Sequence, residues 1–228
     1  FNIKLKNMIY RNTLLSITLY FISFTLSAQD IWSPLESMKI KSISQTEISN
    51  DGKSIAYVVR EPIMEGKKSE YLSQIWVTDI ESKENIQYTF NQKSSSSPKF
   101  SPDGKKIAFL SSRSGKNQVW IMNTLGGEAR MLTKEKKVVR SIKWSPDGKM
   151  ISFLKSDDDT EDEIKSKENK TDVILVDKNF KYSHIYSYHL DEDTVTQVTS
   201  GNYSVNSFDY SPNGKKIIFS HQEDTNIN

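Results

Sequence analysis

The residues of this chain that could do chemistry are few and poorly matched to one another. Asp157-Asp-Asp159 followed by Glu161-Asp-Glu163 crowds carboxylates together, the donor type that hard cations such as calcium accept. The run lacks the glycine of an EF-hand loop, and Lys165, Lys167 and Lys170 follow at once, so a solvated, mobile insertion is the better reading. His184, His189 and His221 have no neighbours at zinc-ligand spacing and read as surface or half-buried structural residues. Glu61 and Glu65 could face a substrate amine, but no motif surrounds them and they are assigned no role. Zero cysteines rule out disulfides, cysteine-ligated zinc and a thiolate nucleophile. No Gly-x-Ser-x-Gly elbow occurs in the 228 residues. The sequence therefore offers no catalytic residue, no cofactor-binding residue and no metal ligand, and implies no cofactor.

What it offers instead is a repeat. Ser49-Asn-Asp-Gly-Lys53, Ser101-Pro-Asp-Gly-Lys105, Ser145-Pro-Asp-Gly-Lys149 and Ser211-Pro-Asn-Gly-Lys215 are four copies of one turn. Proline at its second position presets φ for a type I turn, serine at the first bonds back to the backbone, and glycine supplies positive φ. An apolar residue precedes each copy (Ile48, Phe100, Trp144, Tyr210). A strand follows each: Ile55-Ala-Tyr57, Ile107-Ala-Phe109, Ile151-Ser-Phe153, Ile217-Ile-Phe219. Next come Gln74-Ile-Trp-Val77, Gln118-Val-Trp-Ile121 and His184-Ile-Tyr-Ser187, then segments ending at Thr89, Thr133 and Thr199. Short β-branched and aromatic runs bounded by turn chemistry are strands. Each unit is thus a four-stranded antiparallel blade, and the fold class is all-β, a partial β-propeller. Trp76 and Trp120 recur at equivalent positions, which marks them as blade packing and not as a ligand cage.

Turn glycines are spaced by 52, 44 and 66 residues, the shortest being the period of propeller blades. Insertions explain the excess: Glu61 to Glu70 in blade one, and Ser156 to Lys170 extending into Thr171–Lys181 in blade three, both between second and third strands. The expected organisation is upstream residues and signal peptide over 1–28, a lead-in segment over 29–44, and a partial propeller over 45–228. Its blades span 45–90, 91–133, 135–199 and an incomplete 202–228. Propellers close with four to eight blades, so three and a half blades read as a fragment of a longer protein.

Thirty-one basic and 29 acidic residues give a net charge of +2, scattered along the chain, and no nucleic-acid-binding face emerges. Near the start, Arg11 gives a positive n-region, Leu14 to Leu26 is apolar apart from Ser and Thr, and Ser27-Ala28-Gln29 offers small residues for cleavage after Ser27 or Ala28. That reads as a secretory signal peptide. The 13-residue apolar run falls short of the ~20 needed to span a bilayer, so no stable membrane anchor is expected after cleavage. The chain begins at Phe1 and the first methionine is Met8, so residues 1–7 read as upstream sequence. The expected location is exported: periplasmic or secreted, in a bacterium. Asn169-Lys-Thr171 and Asn202-Tyr-Ser204 are glycosylation sequons, relevant only in a eukaryotic secretory pathway.

The Ser-Pro-Asp-Gly-Lys-x-Ile-Ala-Phe phrase resembles TolB-type propellers and exported serine peptidases of the prolyl oligopeptidase family. Three features resemble the acylaminoacyl-peptidase and dipeptidyl-peptidase branch: the lead-in Ile31-Trp-Ser-Pro-Leu-Glu-Ser-Met38, the run Phe109-Leu-Ser-Ser-Arg-Ser-Gly-Lys-Asn-Gln-Val-Trp120, and the charged insertion before Ser183-His-Ile-Tyr186. The resemblance covers residues 31–228. It implies seven or eight blades followed by a C-terminal α/β-hydrolase domain carrying Ser, Asp and His, none of it encoded here. It also implies short peptide substrates, which the propeller gates. The alternative is a TolB-like periplasmic propeller acting as a binding or scaffold module without a catalytic domain. A free-standing small propeller would need a closure that the incomplete fourth blade does not supply.

Overall fold

A computed structural model describes residues 33–65, 68–169 and 180–223. The signal peptide expected before residue 29 lies outside the described residues. Residues 1–40 form one compact unit, in which helix α1 (Pro34–Met38) is capped by the Ser33 hydroxyl accepting from the Glu36 N–H at 3.1 Å.

Residues 41–228 form the second unit, built from four antiparallel sheets laid down in chain order. Strands β1 (Ser42–Ile48), β2 (Ser54–Glu65), β3 (Lys68–Asp79) and β4 (Asn85–Gln87) make the first sheet. The second is β5 (Ser95–Phe100), β6 (Lys106–Ser111), β7 (Gln118–Asn123) and β8 (Arg130–Met131). The third is β9 (Val139–Trp144), β10 (Met150–Ser156), β11 (Ser183–His189) and β12 (Thr194–Gln197), with α2 (Glu161–Glu168) inserted after β10. The fourth sheet pairs β13 (Ser204–Tyr210) with β14 (Ile217–Gln222). Each sheet is a simple meander, and β5 and β9 each pack on three strands of the preceding sheet. The all-β partial propeller read from the repeat is the architecture observed.

Apolar side chains on the facing sheets form the core between them. Ala56, Val58, Ile75 and Val77 of the first sheet meet Phe100, Ile107, Phe109 and Met122 of the second. Ala108, Leu110, Val119 and Ile121 on the opposite face meet Ile142, Ile151, Phe153, Tyr186 and Tyr188 of the third. A smaller cluster joins Leu154 and Ile185 to Val205 and Phe208. At ~25 cal/mol per Å² of apolar surface buried, these seams dominate the stabilisation. The alternation is the period-2 pattern of strands buried on both faces. Where a face has no neighbouring sheet among the described residues, the same columns are open: Ile43 is 66% and Ile218 74% exposed.

The four turns are nearly superimposable in their bonding. The hydroxyls of Ser49, Ser101 and Ser145 each donate to the carboxylate two residues on at 2.6 Å; Ser211 meets Asn213 at 2.8 Å. Each serine hydroxyl also accepts a backbone N–H from five residues downstream at 2.9 Å. Those serine bonds, and then the Lys53, Lys105 and Lys149 backbone N–H groups, hold the Asp51, Asp103 and Asp147 carboxyls below the usual carboxylate range. Successive turns touch: a Cβ at Gly148 would lie 3.5 Å from the Pro102 ring, and one at Gly214 would lie 3.5 Å from Pro146.

Both insertions carry regular structure among the described residues. Glu61 to Glu70 continues the ladder, with Glu61 opposite Leu72 and Glu65 opposite Lys68, so the insertion lengthens a β-ribbon. Pro62 is tolerated there because β1 stops pairing at Arg60, leaving no partner for its missing N–H. In blade three, α2 is ordered by a capping box between Thr160 and Glu163.

Candidate functional site

A second repeated device explains why the third strands of the first three sheets carry Gln74, Gln118 and His184 at one repeat position. Thr89 Oγ1 accepts the Ile75 N–H at 2.9 Å and donates to Gln74 Oε1, whose amide reaches on to the Asn91 carbonyl at 2.6 Å. Thr133, Gln118, Val119 and the Glu135 carbonyl repeat the arrangement. In blade three, Thr199 accepts from Ile185 at 2.9 Å, and His184 Nδ1 stands 3.4 Å from its hydroxyl. His184 is buried because it occupies a glutamine's place in a brace. Its other nitrogen faces Asp157 at 3.9 Å, and Tyr203 packs edge-on against its ring.

The remaining residues singled out by type fall apart spatially or are neutralised. Asp159 pairs with Lys137 at 2.7 Å and Lys167 at 3.0 Å, and those hydrogen bonds hold its carboxyl at about 2. Glu163 pairs with Lys181 at 2.6 Å. Asp158 and Glu135 flank buried Lys155, whose ammonium lies 4.4 Å over the Tyr186 ring. Burial disfavours that ammonium, but its bonds to Glu135 and Asp158 outweigh burial and raise its pKa. The carboxylates are therefore a latch holding the insertion to blade three, and among the described residues no group of acids and histidines is arranged for a metal. Glu61 pairs with Lys41 at 2.6 Å, and the Glu65 side chain lies outside the described residues. Trp120 packs into the seam between the first two sheets with the Arg113 guanidinium 4.6 Å from its ring, while Trp76 is half-buried opposite Tyr57. His189 bonds Thr196 at 2.9 Å, His221 leans on Tyr203 and Phe219, and Asn169 caps α2. Asn202 is exposed in a bend.

What the residue-type search missed is a column two places before each turn serine: Glu47, Lys99, Lys143 and Asp209. These residues sit on the first strands, which run side by side from sheet to sheet. Lys99 pairs with Glu47 of the preceding sheet at 2.5 Å, and Lys143 pairs with Asp209 of the following sheet at 2.7 Å. The Lys143 bond is the main reason the Asp209 carboxyl sits below its ordinary range. Gln45, Ser97 and Ser141 lie two residues earlier with φ of 52°, 54° and 51°, at bulges in β1, β5 and β9. The Gln45 amide oxygen accepts the Ser97 N–H at 2.7 Å, so one bulge holds the next. Aligning the repeats one column further would have exposed this charged row.

The row borders a cleft of about 610 Å³, lined by Ser97, Lys99, Ser141, Lys143, Phe208 and Asp209 among others. Its charges are paired in trans, its hydroxyls are plentiful, and Ile142, Phe208, Ile218 and Phe219 give it an apolar floor. Such a surface can hold an uncharged or zwitterionic ligand by hydrogen bonds and contact area. None of the three described histidines lines it, so its serines have no imidazole base.

Four sheets sharing one turn and one first-strand bulge, three of them also carrying the brace, define a segment of a β-propeller. Residues 69–170 match the Tricorn protease N-terminal beta propeller domain. A stretch of 76 residues is 34% identical to the uncharacterized peptidase YuxL of Bacillus subtilis (strain 168), covering 33% of this chain and 11% of that protein. In fold, the chain is similar to acylaminoacyl peptidase from Pyrococcus horikoshii (TM-score 0.59, 20% identity, 77% of this chain, 28% of that one). It is also similar to TolB from Acinetobacter baumannii (TM-score 0.58, 22% identity, 82% of this chain, 39% of that one). The chain thus spans under half the length of each of these three proteins. The propeller is related to those of peptidases, as the Ser-Pro-Asp-Gly phrase and its flanking strands implied.

Proposed function

We propose that this chain is the propeller portion of an exported serine peptidase that hydrolyses short peptides. The propeller admits small, flexible peptides and excludes folded proteins, and the acyl-enzyme chemistry belongs to an α/β-hydrolase domain of the same polypeptide outside these 228 residues. One observation carries the reading: the matches made at the level of sequence, to the Tricorn propeller and to YuxL, are both to peptidases. The likeness to TolB is one of fold at 22% identity. Export rests on the Arg11, Leu14–Leu26 and Ser27-Ala28 pattern.

The test is a serine-directed fluorophosphonate probe applied to the full protein as expressed from its gene, with secreted and cytoplasmic fractions assayed separately. Labelling of the exported protein, lost on mutating a downstream Gly-x-Ser-x-Gly serine, is the expected result. A gene that encodes further blades and no hydrolase domain would overturn the peptidase reading in favour of a TolB-like binding or scaffold module.

A further inference from the structure

Residues fixed by the repeat serve the scaffold, so the informative positions are those where one blade departs from the others without a structural reason. Arg140 is such a position. Five residues before the turn serine, the other blades carry Ser44, Ser96 and Asn206, all uncharged. Nothing in the first-strand geometry needs a guanidinium there, since serine fills the same place in the first two sheets.

Arg140 borders a cavity of about 320 Å³ between the third and fourth sheets, lined also by Ser141, Ser156, Lys181, Ser183, Ser204 and Asn206. This size is at the small end of ligand sites. The lining holds two cations, four hydroxyls and an amide, and no carboxylate. Lys181 is neutralised by Glu163 at 2.6 Å. Among the described residues, Arg140 makes no ion pair; one guanidinium nitrogen donates to Ser183 Oγ at 3.1 Å. Ser183 is itself buried, and its N–H donates to Ser204 Oγ at 3.2 Å, so the hydroxyls that flank the guanidinium are held in place by the sheets. The rest of the planar donor fork is left for a ligand. Arginine offers two parallel N–H groups to an oxoanion, which is the geometry that a carboxylate or a phosphate accepts.

We infer that this cavity binds a small oxoanion, with Arg140 as its anchor and the serine hydroxyls and Asn206 as secondary donors. The anion is either free, as inorganic phosphate, or borne by an acidic residue of a short peptide. The second source rests on the peptidase reading and the first does not.

Titration calorimetry on the full protein separates them, using inorganic phosphate, the peptide Ala-Glu-Ala-amide and its neutral isostere Ala-Gln-Ala-amide. At least one of phosphate and the glutamyl peptide should bind, the glutamyl peptide if it does so at least tenfold more tightly than the glutaminyl one. Arg140→Ser should weaken that binding at least tenfold, and Arg140→Lys, which keeps the charge and loses the fork, should fall between. Arg140→Ser installs the residue found in blades one and two and gives up one hydrogen bond to Ser183, so its thermal midpoint should fall by no more than a few degrees. Phosphate binding alone assigns the free anion, and glutamyl-peptide binding assigns the peptide-borne one. Absence of both at millimolar concentration, equal affinity for the two peptides without phosphate binding, or indifference to Arg140→Ser overturns the site. Fluorophosphonate labelling is unaffected by any of these outcomes, so the two readings fail independently.

Discussion

Replacing Thr133 by valine tests the brace that ties the third strand to the end of each blade. Thr133 is 1% exposed, and valine matches its shape, so no cavity opens. The substitution removes the acceptor of the Val119 N–H at 2.9 Å and the donor to Gln118 Oε1 at 2.8 Å. A buried N–H left without a partner costs ~1–3 kcal/mol, and a lost neutral hydrogen bond ~1 kcal/mol. Gln118 Oε1 still accepts the Glu135 N–H at 2.9 Å, so the carbonyl is not orphaned. The expected loss is therefore ~2–4 kcal/mol. Urea titration followed by tryptophan fluorescence reads the total, and amide exchange at Val119 locates it. Thr133→Ser keeps the hydroxyl and drops one methyl, for ~1 kcal/mol. If Thr133→Val lies within ~0.5 kcal/mol of the parent, or serine is as damaging as valine, the hydroxyl is not the working part of the brace.

Three further substitutions probe the turns and the latch. Ser101→Ala removes the acceptor for the Lys106 N–H and the donor to Asp103, and should cost ~1–2 kcal/mol by denaturant titration. Gly148→Ala places a Cβ at φ of 70°, a left-handed conformation that costs an L-residue ~1–2 kcal/mol, and the thermal midpoint should fall accordingly. Asp159 has a carboxyl lowered from 3.8 to about 2, so its contribution is complete above pH 4 and is lost as pH falls through 2. Asp159→Asn should mimic that loss at pH 7, raising amide exchange across Glu161–Glu168 and leaving the four sheets protected.

Much of the scaffold was legible because it is repeated. The turn serines, the glycines and the column of Tyr57, Phe109, Phe153 and Phe219 could be aligned by eye, and the sheets follow that alignment. The Gln74–Thr89 brace was half visible: both ends stood in the repeat, but the bond between them spans 15 residues and shows only once the fourth segment folds back. Insertions were the opposite case. Glu61–Glu70 stood out as an insertion because Pro62 and Gly66 interrupt the apolar pattern, yet the ladder between the two strands continues through it from Glu61 opposite Leu72 to Glu65 opposite Lys68. The carboxylates at 157–163 read as a solvated insertion in preference to a cation site, and sequence showed those charges only beside their chain neighbours. Lys155 is a near neighbour of Asp158, but Lys137 and Lys181 come from 22 and 18 residues away along the chain. The cleft column Glu47, Lys99, Lys143, Asp209 escaped notice because its chemistry changes from blade to blade while its position does not.

Pro102 against Gly148, and Pro146 against Gly214, bring the second turn up to the third and the third up to the fourth, while Gly104 has no such neighbour. A methyl group at Gly148 or Gly214 would still fit at ordinary van der Waals distance, whereas a longer side chain would press on the proline ring of the preceding turn. At these two positions a side chain would therefore act between blades as well as within its own turn, where positive φ already selects against it.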